Sequence, residues 1–120
     1  MQLEMTLFES VVVGFEDEEW RPVVGFPRYE VSSFGRFRNR WTGQYLVGTV
    51  AHNGYVHIGL IRNGKQEPKL AHRLVAETFL ERPSNRHVDV NHKDKVRTNN
   101  RLSNIEWSTK SWNAKHAHKK

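Results

Sequence analysis

The last third of the chain, VDVNHKDKVRTNNRLSNIEWSTKSWNAKHAHKK at residues 88–120, constrains the fold more than any other stretch. It opens on an alternation of apolar and polar residues that ends at Asn91 and His92. A loop rich in Lys, Arg and Asn follows, and then the short apolar segment Ile105, Glu106, Trp107. Ser108 or Thr109 makes a good helix N-cap, because a hydroxyl there accepts a bond from an otherwise unpaired N–H. Trp112, Asn113 and His116 would lie on the helix that it starts. The reading is strand, loop, strand, helix. Such a unit gathers the end of its first strand and one helix face around a single ion, so Asn91, His92 and Asn113 are expected together despite their separation in sequence.

The 120 residues make one domain, or one small domain with an appendage, able to bury a modest core. With no cysteine, a disulfide framework, a Cys-based zinc finger and a thiol nucleophile are all excluded. No apolar run reaches membrane-spanning length and the N-terminus lacks the basic start of a signal peptide, so a soluble, cytoplasmic protein is expected. Charge is unevenly placed. Residues 1–19 hold six acids and no Lys or Arg, so the net +6 rises to +12 for the remainder. A basic body of this kind suits a polyanion. The acidic segment reads as an edge strand at residues 2–8 with a solvated linker; a segment that competes with DNA or recruits a partner is the alternative.

Residues 20–39 contain Pro22, Gly25, Pro27 and Gly35 and cannot form one long helix. Residues 29–31 and 36–38 are strand candidates around a Ser-Ser-Phe-Gly turn. In a strand, Arg36, Arg38 and Arg40 would share one face, spaced to follow a phosphate backbone. Further on, Asn53-Gly54 and Asn63-Gly64 each separate alternating runs. Both are expected to make type I′ turns, in which the two central residues have positive φ. They predict a meander of strands near 45–51, 55–62 and 65–70. Val56, Ile58 and Leu60 should face the core, with Tyr55 and His57 on the opposite, surface side. Residues 71–80 read as an amphipathic helix with an apolar stripe at Leu74, Val75, Thr78 and Phe79, ended by Pro83. His72, at its start, is expected at the surface or as a cap.

Four spaced pieces carry a resemblance: HRLVAETFL at 72–80, VNHKD at 90–94, TNNRLSNIEW at 98–107 and SWNAKHA at 111–117. Together they resemble the HNH endonucleases of the phage and intron homing type, whose ββα-metal fold cuts DNA with one divalent ion. The run WRPVVGFPRYEVSSFGRFRN at 20–39 is similar to a modular DNA-binding motif that often precedes this nuclease. The resemblance implies an α+β chain: a small antiparallel sheet plus helix, followed by a C-terminal ββα-metal motif. It divides into an acidic segment (1–19), a β-rich DNA-binding region (20–70) and a nuclease region (71–120).

The same resemblance assigns roles. His92 would take a proton from water, which imidazole does near neutral pH. Asn91 and Asn113 would offer oxygen to one hard cation, Mg²⁺ or Mn²⁺. Asn104 would bond loop backbone and keep His92 aimed, while Asn99 and Asn100 are read as turn formers. Lys93, Lys95, Arg97 and Arg101, with the three arginines above, would contact DNA. His116 sits one helical turn beyond Asn113. Relatives often carry Asp at the position of Asn91 and Gly at that of Lys95. The implied activity is nicking or cutting of double-stranded DNA, with a homodimer or protein partner as an option for specificity. The alternative is a DNA-binding or accessory module on the same scaffold that does not cut.

Overall fold

In the computed structural model, residues 17–110 are described. They form three antiparallel sheets around one helix. The first sheet holds β1 (Trp20–Val23), β2 (Phe26–Ser32) and β3 (Phe37–Asn39), in that order. The second holds β4 (Thr49–Val50), β5 (Val56–Arg62) and β6 (Lys65–Leu70). Helix α1 (Ala71–Phe79) follows β6 without a linker. The third is the two-stranded ribbon of β7 (Asp89–His92) and β8 (Ile105–Ser108), with a 3-10 turn (Leu102–Asn104) leading into β8. The α+β expectation holds.

Local chemistry explains the boundaries. The Asn63-Gly64 turn has positive φ at both residues, 54° and 77°, as a type I′ hairpin requires. Asn53-Gly54 differs from the expectation. Only Gly54 is left-handed, at φ 90°. Ala51 N donates to Tyr55 O at 2.9 Å and Gly54 N to Ala51 O at 2.8 Å. This is a three-residue loop in which a turn is followed by a left-handed glycine. The Asn53 carboxamide accepts from Tyr55 N at 3.1 Å instead of occupying the left-handed position itself. The first meander strand is correspondingly short, covering residues 49–50 of the expected 45–51. Pro22 and Pro68 both sit on edge strands, where no ladder bond to an outer neighbour is lost. The helix stops at Phe79, and Leu80 is already extended, ahead of Pro83.

A single core joins all of these parts. Val23, Phe26, Tyr29, Val31 and Phe37 come from the first sheet, and Ile58 and Leu60 from β5. The helix adds Ala71, Leu74, Val75 and Ala76, and Ile105 comes from β8. Two polar ties cross between the first two sheets. Ile61 N donates to the Tyr29 hydroxyl at 3.2 Å, and Arg62 donates to Gly25 O at 3.1 Å while lying 4.2 Å over the Phe26 ring. The nuclease-like ribbon is therefore not an appendage. Its strand β8 is anchored by Ile105, which is 2% exposed, in the same apolar cluster as the N-terminal sheet.

Candidate active site

His92 is the last residue of β7 and pairs across the ribbon with Ile105. Strand residues alternate sides, so His92 faces the same way as the buried Ile105, toward α1. There it meets two other rings. Its centroid is 4.8 Å from that of His72 and 6.0 Å from that of Tyr55, and Tyr55 and His72 are stacked at 4.9 Å. The third neighbour is polar: His92 Nε2 lies 2.8 Å from Asn100 Oδ1. His92 and Asn100 are both buried.

Burial of His72 departs from the surface position expected of it, and no side-chain cap is made at the helix start. Its Nδ1 is buried without a hydrogen-bond partner. Desolvation, followed by the charge of His92, Arg73 and His57, pushes its pKa down to about 4. Tyr55, expected at the surface of the meander, is half-buried against His72. Its other side is covered by Arg97, whose guanidinium lies 4.8 Å over the ring and donates to Asn53 O at 2.6 Å.

Asn91 points to the other side of the ribbon, opposite Glu106. Its Nδ2 donates to Glu106 Oε2 at 2.8 Å. A carboxylate only accepts, so the amide nitrogen is committed to Glu106 and Oδ1 turns away from it. Asn113 and His116 lie outside the described residues, as does the expected strand at 2–8.

The loop between the strands is closed by one side chain. Asn104 Oδ1 accepts from Asp94 N at 3.0 Å, while its Nδ2 donates to Asp94 Oδ1 and to Asn99 O, each at 2.9 Å. Asp94 in turn accepts from Val96 N and Asn99 Nδ2, both at 2.8 Å. The Asn99 amide, then the Val96 N–H, hold its carboxyl below the usual carboxylate range. Lys95 adopts φ 64°, a conformation glycine takes freely, and its N–H donates to His92 O at 2.9 Å. Asn104→Ala removes three bonds from a residue only 8% exposed. We expect a loss of about 2 kcal/mol, read as a fall of roughly 8 °C in the thermal midpoint. An unchanged midpoint would show that the loop does not depend on it.

Residues 18–61 match the NUMOD4 motif and residues 69–115 match the HNH endonuclease family. This chain therefore carries an HNH endonuclease domain behind a NUMOD4 motif. The chain is 38% identical over 99 residues to an uncharacterised HNH endonuclease of Acanthamoeba polyphaga mimivirus, covering 82% of this chain and 29% of that one. It is 35% identical over 96 residues to the DNA endonuclease I-HmuI of Bacillus phage SP01, covering 79% of this chain and 55% of that one. A solved structure of DNA binding and cleavage by the HNH homing endonuclease I-HmuI matches with a TM-score of 0.75. Identity there is 30%, over 84% of this chain and 58% of that one. The chain thus spans little more than half of I-HmuI and less than a third of the viral relative.

The arginines of this chain differ from the bare row read from the sequence. Strand β3 covers only 37–39, and Arg36 and Arg38 meet over Trp20, at 5.6 and 3.7 Å. Arg36 is held by both carboxylate oxygens of Glu18, at 2.8 and 2.6 Å, and Arg38 by Glu30 at 2.9 Å. Arg40 instead lies 4.9 Å over Trp41. Lys93, Lys95, Arg97 and Arg101 are all exposed on the loop after His92. Arg101 lies 4.3 Å over Phe34 of the N-terminal sheet.

Sequence reasoning missed Tyr55, His72, Asn100 and Glu106. Two of them carried a signal. His72, Val75, Ala76 and Phe79 follow helical spacing, which puts the histidine on the apolar stripe. Glu106 follows from the ribbon register once both strands are placed. Asn100 had no such signal.

The HNH family generally works with a divalent cation. Among the described residues, no group of three or more His, Cys, Asp or Glu side chains could hold a metal ion. The Asn91 amide oxygen and the adjoining Glu106 carboxylate are hard oxygen donors. They fit Mg²⁺ or Mn²⁺ completed by water and phosphate, not a closed zinc cage.

Proposed function

We propose that this chain is a divalent-metal-dependent endonuclease that nicks or cuts double-stranded DNA. One observation carries the reading. A histidine whose ring is fixed on three sides ends a strand, directly before a loop of exposed cations that Asn104 holds shut.

His92 accepts a proton from water as the water oxygen bonds to phosphorus. The bond from phosphorus to the 3′ oxygen breaks, and that oxygen takes a proton from solvent. The ends are a 5′-phosphate and a 3′-hydroxyl. The ring stack and Asn100 limit the imidazole's rotation, so little order has to be created on reaching the transition state. Asn91, with Asn113 from the following segment, would hold the cation, and Glu106 keeps the Asn91 amide turned for it. The bound cation supplies positive charge against the developing alkoxide. Lys93, Lys95, Arg97 and Arg101 bind phosphates along the loop. Arg36 and Arg38 reach DNA only by exchanging a carboxylate for a phosphate, which makes their contribution the more salt-sensitive one.

Supercoiled plasmid incubated with the full chain in Mg²⁺, in Mn²⁺ and in EDTA tests this. Relaxed or linear plasmid is expected with metal and none in EDTA. Retardation without relaxation in every metal would favour the DNA-binding module that does not cut.

A further inference from the structure

We propose that Asn100 is a positioning residue that sets the tautomer of His92, placing the proton on Nε2 and leaving Nδ1 as the nitrogen that receives a proton from water. This deepens the endonuclease reading and rests on it for the identity of the base.

A neutral imidazole has one N–H and one lone pair, and only the lone pair can take a proton. Which nitrogen carries it is decided by what the other bonds. His92 Nε2 lies 2.8 Å from Asn100 Oδ1, and a carboxamide oxygen accepts but does not donate. Nε2 is therefore the N–H nitrogen. The bond is sheltered from competing water, because Asn100 is 7% exposed and His92 5%. The Tyr55 and His72 rings fix the plane of the imidazole, so a ring flip that exchanges the nitrogens has to break both the stack and this bond.

Asn100 is itself held from outside the nuclease motif. Leu102 N donates to Ser33 O at 2.8 Å, and Arg101 covers Phe34. Gly35, at φ 83°, sits so close that an added Cβ would lie 2.7 Å from the Asn100 carbonyl oxygen. The turn between β2 and β3 thus forms the wall against which residues 100–102 rest. A feature of the N-terminal sheet reaches the proposed base through one asparagine. No residue of the spaced motifs read as ligand or base supplies this contact.

The full chain, labelled with ¹⁵N-histidine and free of metal, is examined by long-range proton–nitrogen NMR at a pH of about 8, where histidine is largely neutral. The His92 signals are identified by their loss in His92→Gln. The wild-type ring is expected to be protonated at Nε2. In Asn100→Ala it should move toward the mixture of free histidine, while plasmid nicking falls about 10- to 100-fold in kcat with little change in KM for DNA. Asn100→Asp keeps an acceptor and should retain the Nε2 proton and most of kcat. A wild-type His92 protonated at Nδ1 would overturn the assignment, as would Asn100→Ala with unaltered tautomer and kcat. If the wild type nicks no DNA in any metal, the endonuclease reading fails, and the NMR signature still decides whether Asn100 sets the ring.

Discussion

His92→Ala should lower plasmid nicking in Mg²⁺ about 10³-fold while leaving retention of DNA in a gel within about 3-fold of wild type. A positioned base contributes its full effect only if nothing else can replace it. Among the described neighbours nothing does: Asn100 is an amide, Tyr55 a phenol, and His72 is turned into the core. The proposed DNA-binding surface should survive because the exposed cations follow His92 in the loop and their closure depends on Asn104, not on the imidazole. The mutation does empty a space beside the stacked Tyr55 and His72 rings, so circular dichroism and the thermal midpoint are measured alongside. A folded His92→Ala protein that cuts at the wild-type rate would exclude His92 as the base.

The parts of this molecule that could be read from the chain are those decided by neighbours in sequence. Asn63-Gly64 specifies its turn locally, because both residues tolerate positive φ, and β5 and β6 follow from it. Strand β7, the loop and β8 were legible because alternation, polar loop and apolar segment succeed one another within 20 residues. What was not legible is decided by packing. Asn53-Gly54 has the same composition as the other turn, yet it forms a longer loop whose carbonyl is fixed by Arg97, 44 positions away. Asn100 reads as a turn residue, and only burial beneath the β2–β3 turn makes it a partner of His92. Of the arginines around β3, Arg40 lies over Trp41, whereas Arg36 and Arg38 meet over Trp20. Their carboxylate partners come from Glu18 and Glu30, and a single chain gives no way to see that pairing in advance.

The same packing makes one stability effect predictable. Lowering the pH from 7 to 4.5 should remove about 2 to 3 kcal/mol of folding free energy through His72 alone. The folded-state pKa, about 4, lies below the ordinary value of 6.5. Between those two values the unfolded chain binds a proton that the folded chain refuses, so stability falls as the pH drops. Above 6.5 the contribution is fully present, and below 4 no more of it is lost. The charged groups near this ring, His92, Arg73 and His57, are all basic, and the Tyr55 ring stacked on it carries no charge. None of them can stabilise a charged His72, and its Nδ1 already lacks a partner. His72→Phe keeps a ring against Tyr55 and His92 but cannot be protonated. Urea unfolding at pH 7 and 4.5 should therefore show a difference between the two pH values that is smaller by about 2 to 3 kcal/mol in the variant. Equal differences in both proteins would mean that His72 titrates as an exposed histidine. The ring stack holding His92 would then be open to water.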